Sequence, residues 1–337
     1  MFIMKRREFL KIIGGLLGGL AMSPYFDIAG AALSGKAAIP RKRFGRTGAE
    51  VSIIGLGGFN ISLNNFNDAT AADFVRYAID GGINFLDNAR EYNNGLSEER
   101  MGRALLNGYR TKAFLMTKNC DHSRSFEGSI KSLERSLRAF KTDFIDLILF
   151  HEINYADDVE YIVKKGALEA MIKAREQGKV RFIGFTGHKD PRLHLKMLEI
   201  PFEWDAVMLP VGVMDYHRKS FTRTVLPELL KRGTGIIGFK SMGGFMSGVP
   251  QKIGYSNADC LRYSLSQHAH TVVVGMELID QLCENISIAA SFVPMSADEQ
   301  SEMRMRTAGF ADDIRTEVYK NTPDYDSALG KELHNIK

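Results

Sequence analysis

Phe85-Leu-Asp-Asn-Ala-Arg-Glu-Tyr92 ends an apolar run on a carboxylate, Asp87, and places a phenol, Tyr92, a short loop later. The next apolar run, Ala113-Phe-Leu-Met-Thr-Lys118, ends on an ammonium, Lys118. The one after, Ile145-Asp-Leu-Ile-Leu-Phe-His151, ends on an imidazole, His151. Three consecutive strand-like segments thus finish in ionisable residues, with amphipathic helical patterns between them. In a parallel α/β barrel all strands end on one face, where such side chains converge. Four groups of these kinds in one mouth can hold and move a proton. A neighbouring ammonium favours a phenolate and lowers a phenol's pKa from its free value near ~10.

Strand-like runs recur near 51–57, 83–87, 113–117, 144–150, 180–186, 206–211, 235–239 and 271–275. Helical patterns lie between them, such as Ala71–Asp80, Glu98–Asn107, Phe126–Phe140 and Leu168–Gln177. Glycine often closes them, as in Asp80-Gly-Gly82 and Gln177-Gly178. Eight strands alternating with helices predict a closed (β/α)8 TIM barrel. An open doubly wound sheet that binds a dinucleotide would carry G-x-G-x-x-G after its first strand. Here that strand ends Gly55-Leu-Gly-Gly58, without the third glycine. Arg43-Phe-Gly-Arg-Thr-Gly-Ala-Glu-Val51 has the glycine turn signals of an N-terminal hairpin. Residues 32–41 read as a linker, 42–295 as the barrel and 296–337 as a charged, partly helical C-terminal extension.

The 337 residues are 45% hydrophobic and 25% charged, as in a globular protein with a large core. Near the start, Lys5-Arg-Arg-Glu-Phe-Leu-Lys11 precedes a Gly-diluted apolar run, Ile12–Met22, too short to span a bilayer comfortably. This pattern resembles a twin-arginine (Tat) export signal, with Ala29-Gly-Ala31 as its small-residue cleavage site. Residues 1–31 are therefore expected to be removed on passage through the Tat machinery, leaving an exported or periplasmic protein. Their loss lowers the net charge from +4 to +2, which does not indicate a nucleic-acid surface. Cys120, Cys260 and Cys283 make no C-x-x-C pair and no disulfide framework. Cys120 and His122 flank Asp121 just beyond Lys118. No third ligand is evident in sequence, so a plain loop is expected there rather than a metal site.

The motifs in this order resemble the aldo-keto reductase family across nearly the whole chain after residue 31. Gly45-Arg-Thr-Gly48 and Val51-Ser-Ile-Ile-Gly-Leu-Gly-Gly58 look like the family opening. Asp87, Tyr92, Lys118 and His151 stand at its four catalytic positions. The resemblance implies that Tyr92 is the proton donor, Lys118 its electrostatic partner, Asp87 the group that fixes Lys118, and His151 the group that orients the carbonyl. Phe239 stands where an aromatic ring stacks on nicotinamide. Thr186 and His188 stand where Ser and Asn often grip the carboxamide, and Met208 where Gln is usual. A thioether cannot replace an amide's donors, so that grip is altered. Lys240 and Ser241 match the phosphate side. Gly275-Met-Glu277 with Gln281, Glu284 and Asn285 is similar to the adenosine-phosphate loop. Thr186-Gly-His188, Pro210 with Asp215, and Gly238-Phe-Lys-Ser-Met-Gly-Gly244 look like the subgroup that often carries a C-terminal iron–sulfur domain. The tail here lacks the cysteines to ligate such a cluster.

The resemblance implies an NAD(P)-dependent oxidoreductase acting on a carbonyl or alcohol, with a small-molecule substrate and no metal requirement. NADP(H) is the family default. Glu277 argues for NAD(H), since a carboxylate repels a 2′-phosphate and accepts from a ribose hydroxyl. Two alternatives share the fold: a nucleotide-binding regulatory module, and a redox-neutral enzyme that holds its cofactor tightly. Asn93, Asn94, His122, His188 and Tyr216 point to a polar mouth and a hydroxylated substrate.

Overall fold

The computed structural model describes residues 38–244, 248–323 and 326–336. The expected export signal, its expected cleavage site and most of the expected linker lie outside the described residues. The chain opens with an antiparallel hairpin, β1 (Arg41–Arg43) and β2 (Glu50–Ser52), in which Lys42 pairs with Val51. Eight parallel strands follow: β3 (Ile54–Gly57), β4 (Phe85–Asp87), β5 (Phe114–Asn119), β6 (Ile145–Phe150), β7 (Val180–Thr186), β8 (Ala206–Pro210), β9 (Gly235–Phe239) and β10 (Thr271–Val274). They pair in chain order, and β10 pairs with both β9 and β3 to close the barrel. The run near 51–57 therefore serves two sheets. It divides at Ile53, whose N–H donates to Pro40 O at 3.0 Å, while the Ser52 hydroxyl donates to Ile54 O at 2.7 Å.

Helix ends follow the local chemistry. Asn67 accepts from Ala69 N and Thr70 N at the head of the helix Asp68–Asp80. Ser125 caps Phe126–Phe140, and Asp190 with Pro191 starts Pro191–Glu199. Gly82 and Gly178 take left-handed φ values of 103° and 75° just past the helices they follow.

The hairpin plugs the end of the barrel where the strands begin. Phe44, fully buried, meets Phe85 and Phe114 edge-on at centroid distances of 6.0 and 5.6 Å. It packs so closely on β9 that a Cβ on Gly235 would sit 2.7 Å from the Phe44 ring. Above the plug, Met116, Leu147, Leu149, Met208 and Ile237 fill the interior. With that end sealed by apolar side chains, the opposite mouth, at the strand C-termini, is where the interior opens.

The C-terminal extension includes the helices Ala297–Thr307, Val318–Asn321 and Ala328–Leu333. It docks on the mouth through buried polar contacts. Lys320 Nζ donates to Asp215 Oδ1 at 2.8 Å and Glu317 Oε2 at 3.0 Å. Asp326 accepts from Asn154 Nδ2 at 3.0 Å and pairs with Lys189 at 2.6 Å. Among the described residues no helix is long and apolar enough to cross a membrane.

Candidate active site

A cavity of about 680 Å³ opens at the strand C-termini, well within the roughly 300–1,000 Å³ of small-molecule sites. Each barrel strand, or the residue just after it, contributes to its lining: Gly57, Asp87, Lys118, His151, Thr186, Met208, Phe239 and Val274. Lys118 Nζ lies at the centre of the polar part. It ion-pairs with Asp87 Oδ1 and donates to Asn88 O at 2.8 Å and to the Tyr92 hydroxyl at 3.1 Å. Burial works against the ammonium, but Asp87 and Tyr92 outweigh it and hold Lys118 charged.

The Tyr92 phenol does not titrate low, as the sequence suggested. Burial pushes it well above its ordinary value. Lys118 pulls it down, but Asp87 neutralises much of that ammonium and the net direction is up. The hydroxyl is therefore a protonated donor in this site. Phe59 braces the ring edge-on at 5.5 Å.

His151 follows β6 and shares a network that sequence did not reveal. Its Nδ1 lies 2.8 Å from Glu91 Oε2, and His122 Nε2 lies 2.9 Å from Glu91 Oε1. Cys120 Sγ is 3.4 Å from the same Nδ1. The third donor that sequence did not show beside Cys120 and His122 is thus present in space, since the ligand atoms of Glu91, His122 and His151 all lie within 4.8 Å of one another. Groups of this kind can take a transition metal. Here they are paired with one another at ordinary hydrogen-bond lengths. Burial lowers the His151 imidazole pKa more than Glu91 raises it. Burial raises the Glu91 carboxyl, but hydrogen bonds from both imidazoles prevail and hold it well below the usual carboxylate range. Next in chain, Glu152 is driven up to about 7 by burial. Its Oε2 accepts from Ser327 N at 3.0 Å.

On the far side of the cavity His188 is buried, and its Nε2 has no hydrogen-bond partner. That nitrogen lies 3.9 Å from Asp326 Oδ1, while the residue lines the cavity. Its neighbours are Thr186, the half-buried Phe239 ring and Lys240, whose ammonium is lowered to about 8 by burial. These residues fit the amide, ring and charged parts of a nicotinamide nucleotide.

Residues 53–257 match the model of the Aldo/keto reductase family, well over half of the chain. The chain belongs to the aldo/keto reductase family. Its members are NAD(P)-dependent oxidoreductases that use NADP(H) and act on carbonyl substrates. The chain is 27% identical to L-galactose dehydrogenase of Arabidopsis thaliana over 299 residues, 78% of this chain and 92% of that one. It superposes on aldo-keto reductase AKR11C1 of Bacillus halodurans, holo form, with a TM-score of 0.65 at 22% identity, covering 80% and 96% of the two chains. A Bombyx mori aldo-keto reductase in complex with NADP gives 0.62 at 17%, covering 80% and 93%. Likeness at these identities carries the fold alone.

Of the residues singled out in this aldo/keto reductase, Asp87, Tyr92, Lys118, His151, Thr186, His188, Met208, Phe239, Lys240, Ser241, Gly275 and Glu277 line the one cavity. Gln281, Glu284 and Asn285 lie outside that lining. Gln281 Oε1 caps its own helix by accepting from Glu277 N and Leu278 N, and Asn285 Nδ2 donates to Gln281 O. Tyr216 also lies outside the lining, with the Arg223 and Arg304 guanidinium groups over its ring at 5.2 and 4.4 Å. Asn93 is spent on Ser62 Oγ at 2.6 Å. Sequence reasoning missed Glu91, Glu152 and the Asp326–Ser327 pair. Glu91 and Glu152 adjoin singled-out residues, and that adjacency was the available signal.

Proposed function

We propose that this aldo/keto reductase works outside the cytoplasmic membrane, moving hydride between a nicotinamide nucleotide and the carbonyl carbon of a hydroxylated substrate, with Tyr92 exchanging the proton at oxygen. The observation that carries this reading is the hold of Asp87, Asn88 O and Tyr92 on the single ammonium of Lys118 in the barrel mouth. Because Lys118 donates to the Tyr92 oxygen, the phenol's own proton is free to point at a second acceptor in the cavity. A carbonyl oxygen placed there accepts it. As the proton leaves, the charge that develops on the phenolate is stabilised by the ammonium already beside it, with little reorganisation. Asp87 keeps that ammonium fixed and charged.

The bound nucleotide supplies or receives the hydride. Thr186 and His188 would hold its carboxamide, Phe239 would lie against its ring, and Lys240 and Ser241 would face its phosphates. Glu277 lines the cavity with Oε1 fixed by Asn60 Nδ2 at 2.7 Å. A carboxylate held there supports NAD(H) over the family's NADP(H). Similarity to an L-galactose dehydrogenase, and the polar lining by His151, Glu152 and His188, support a hydroxylated substrate.

The twin-arginine segment supports export of the folded chain. Free nicotinamide nucleotide is scarce outside the membrane, so the reading includes tight retention of the cofactor. At an affinity of ~1 nM, binding is worth about 12 kcal/mol and slow release dominates. The test denatures freshly isolated exported protein and weighs the released nucleotide, then gives intact reduced protein a panel of carbonyls in single turnover. Near-stoichiometric NAD and oxidation of bound reduced cofactor are expected. Released NADP would refute the Glu277 argument. Nucleotide-free protein that turns over no carbonyl would overturn the reading.

A further inference from the structure

We infer that Glu91 is a positioning residue that locks His151 with its proton on Nδ1, so that the mouth presents a bare Nε2 and selects carbonyl substrates bearing a hydroxyl on the adjacent carbon. The inference rests on the proposed function and names a substrate class for that site.

Glu91 accepts from two imidazoles at once, Oε1 from His122 Nε2 at 2.9 Å and Oε2 from His151 Nδ1 at 2.8 Å. An ionised carboxylate has no proton to give, so both nitrogens must carry one. The neighbouring thiol does not supply an alternative donor to Nδ1. Cys120 Sγ lies 3.4 Å from Lys118 O, a pure acceptor, which takes the S–H. A neutral imidazole has a single N–H, and the hydrogen bond at one nitrogen decides the state of the other. With Nδ1 committed to Glu91, Nε2 is an acceptor. It makes no hydrogen bond among the described residues, and the ring lines the cavity.

Tyr92 and His151 stand side by side with ring centroids 6.3 Å apart. The first is a donor and the second an acceptor. A plain carbonyl oxygen satisfies the first and nothing satisfies the second. An α-hydroxy carbonyl satisfies both, its C=O accepting from Tyr92 and its neighbouring O–H donating to His151 Nε2. Leaving a built acceptor unpaired is what makes a site reject the analogue lacking the hydroxyl. The lock is anchored beyond the barrel as well. His122 Nε2 also lies 3.0 Å from Ser327 Oγ on the C-terminal extension, which shares the same N–H with Glu91 as a second acceptor.

The test has two parts, both on the full exported protein. Nitrogen-15 NMR of histidine-labelled protein, assigned with His151→Asn, reads the tautomer directly without any substrate. Proton on Nδ1 is expected, moving toward Nε2 or a mixture in Glu91→Gln, whose amide can accept from one imidazole but not two. Turnover is then compared for glyceraldehyde and 3-hydroxypropanal, which differ by the α-hydroxyl. A preference of at least ~10-fold in kcat/KM for glyceraldehyde is expected, falling to near parity in Glu91→Gln. Wild-type protein with its proton on Nε2, or equal use of the two aldehydes, would overturn the inference. Failure to turn over either aldehyde would instead count against the proposed function, while the tautomer still decides the role of Glu91.

Discussion

Replacing Lys118 with methionine removes the ammonium that Asp87, Asn88 O and Tyr92 share, while nearly preserving side-chain length. Lys118 is 2% exposed and Asp87 3%, so little solvent reaches the carboxylate to take the cation's place. Breaking such a pair by removing one partner costs about 3–5 kcal/mol, because the remaining charge is buried alone. For a chain of this size that lowers the melting temperature by about 4–8 °C. Asp87 can escape part of the penalty by binding a proton. Burial already pushes its carboxyl up, and Lys118 is the largest influence holding it down. In the variant its folded pKa rises well above the unfolded one. The stability of a carboxyl shifted in that direction is present below the unfolded pKa and lost as pH rises through the folded value. The deficit of Lys118→Met against wild type must therefore widen from acid to neutral pH. Differential scanning calorimetry at two such pH values measures this. Turnover should fall by at least ~10²-fold in parallel, since Tyr92 loses the charge that stabilises its phenolate. A variant equally stable at both pH values, with turnover intact, would refute both the buried pair and its role.

Tyr92→Phe keeps the ring against Phe59 but removes the proton; turnover should drop at least ~10²-fold with nucleotide affinity unchanged, and wild-type turnover would remove Tyr92 from the mechanism. Glu152, raised from 4.5 to about 7 by burial, stays protonated in the folded chain where the unfolded chain has already ionised; melting curves should show wild type losing stability relative to Glu152→Gln as pH rises from about 4.5 to about 7, and parallel curves would show that the group does not titrate there. Lys320→Met leaves Asp215 and Glu317 facing each other without their cation; a loss of about 3–5 kcal/mol is expected, with faster proteolysis of the C-terminal extension as its visible sign. Changing Arg6 and Arg7 together to Lys keeps the charge but not the planar guanidinium donors and should trap unprocessed chain in the cytoplasm; normal export would sink the Tat reading.

The legible part of this molecule is the part built by short-range rules. Strand runs ended where apolar alternation met a turn. Because parallel strands all end on one face, a residue's place at the end of its run was enough to bring Asp87, Lys118 and His151 together. Helix ends were equally readable at Gly82 and Gly178, which take left-handed φ values just past the helices they close. What could not be read depends on separation in the chain. The proton on Tyr92 was misjudged because composition reports the ammonium nearby but not the burial that outweighs it. The acceptor face of His151 needs Glu91, 60 positions away, and His122 shares its N–H with Ser327, 205 positions away. Catalytic proton transfer in this fold is thus written into strand ends, whereas the choice of substrate depends on contacts between loops and a C-terminal extension. A donor from Tyr92 is available to any carbonyl that fits. The acceptor at His151 exists only while Glu91 holds its other nitrogen, so changes in the extension can alter which carbonyls are accepted without touching the group that protonates them.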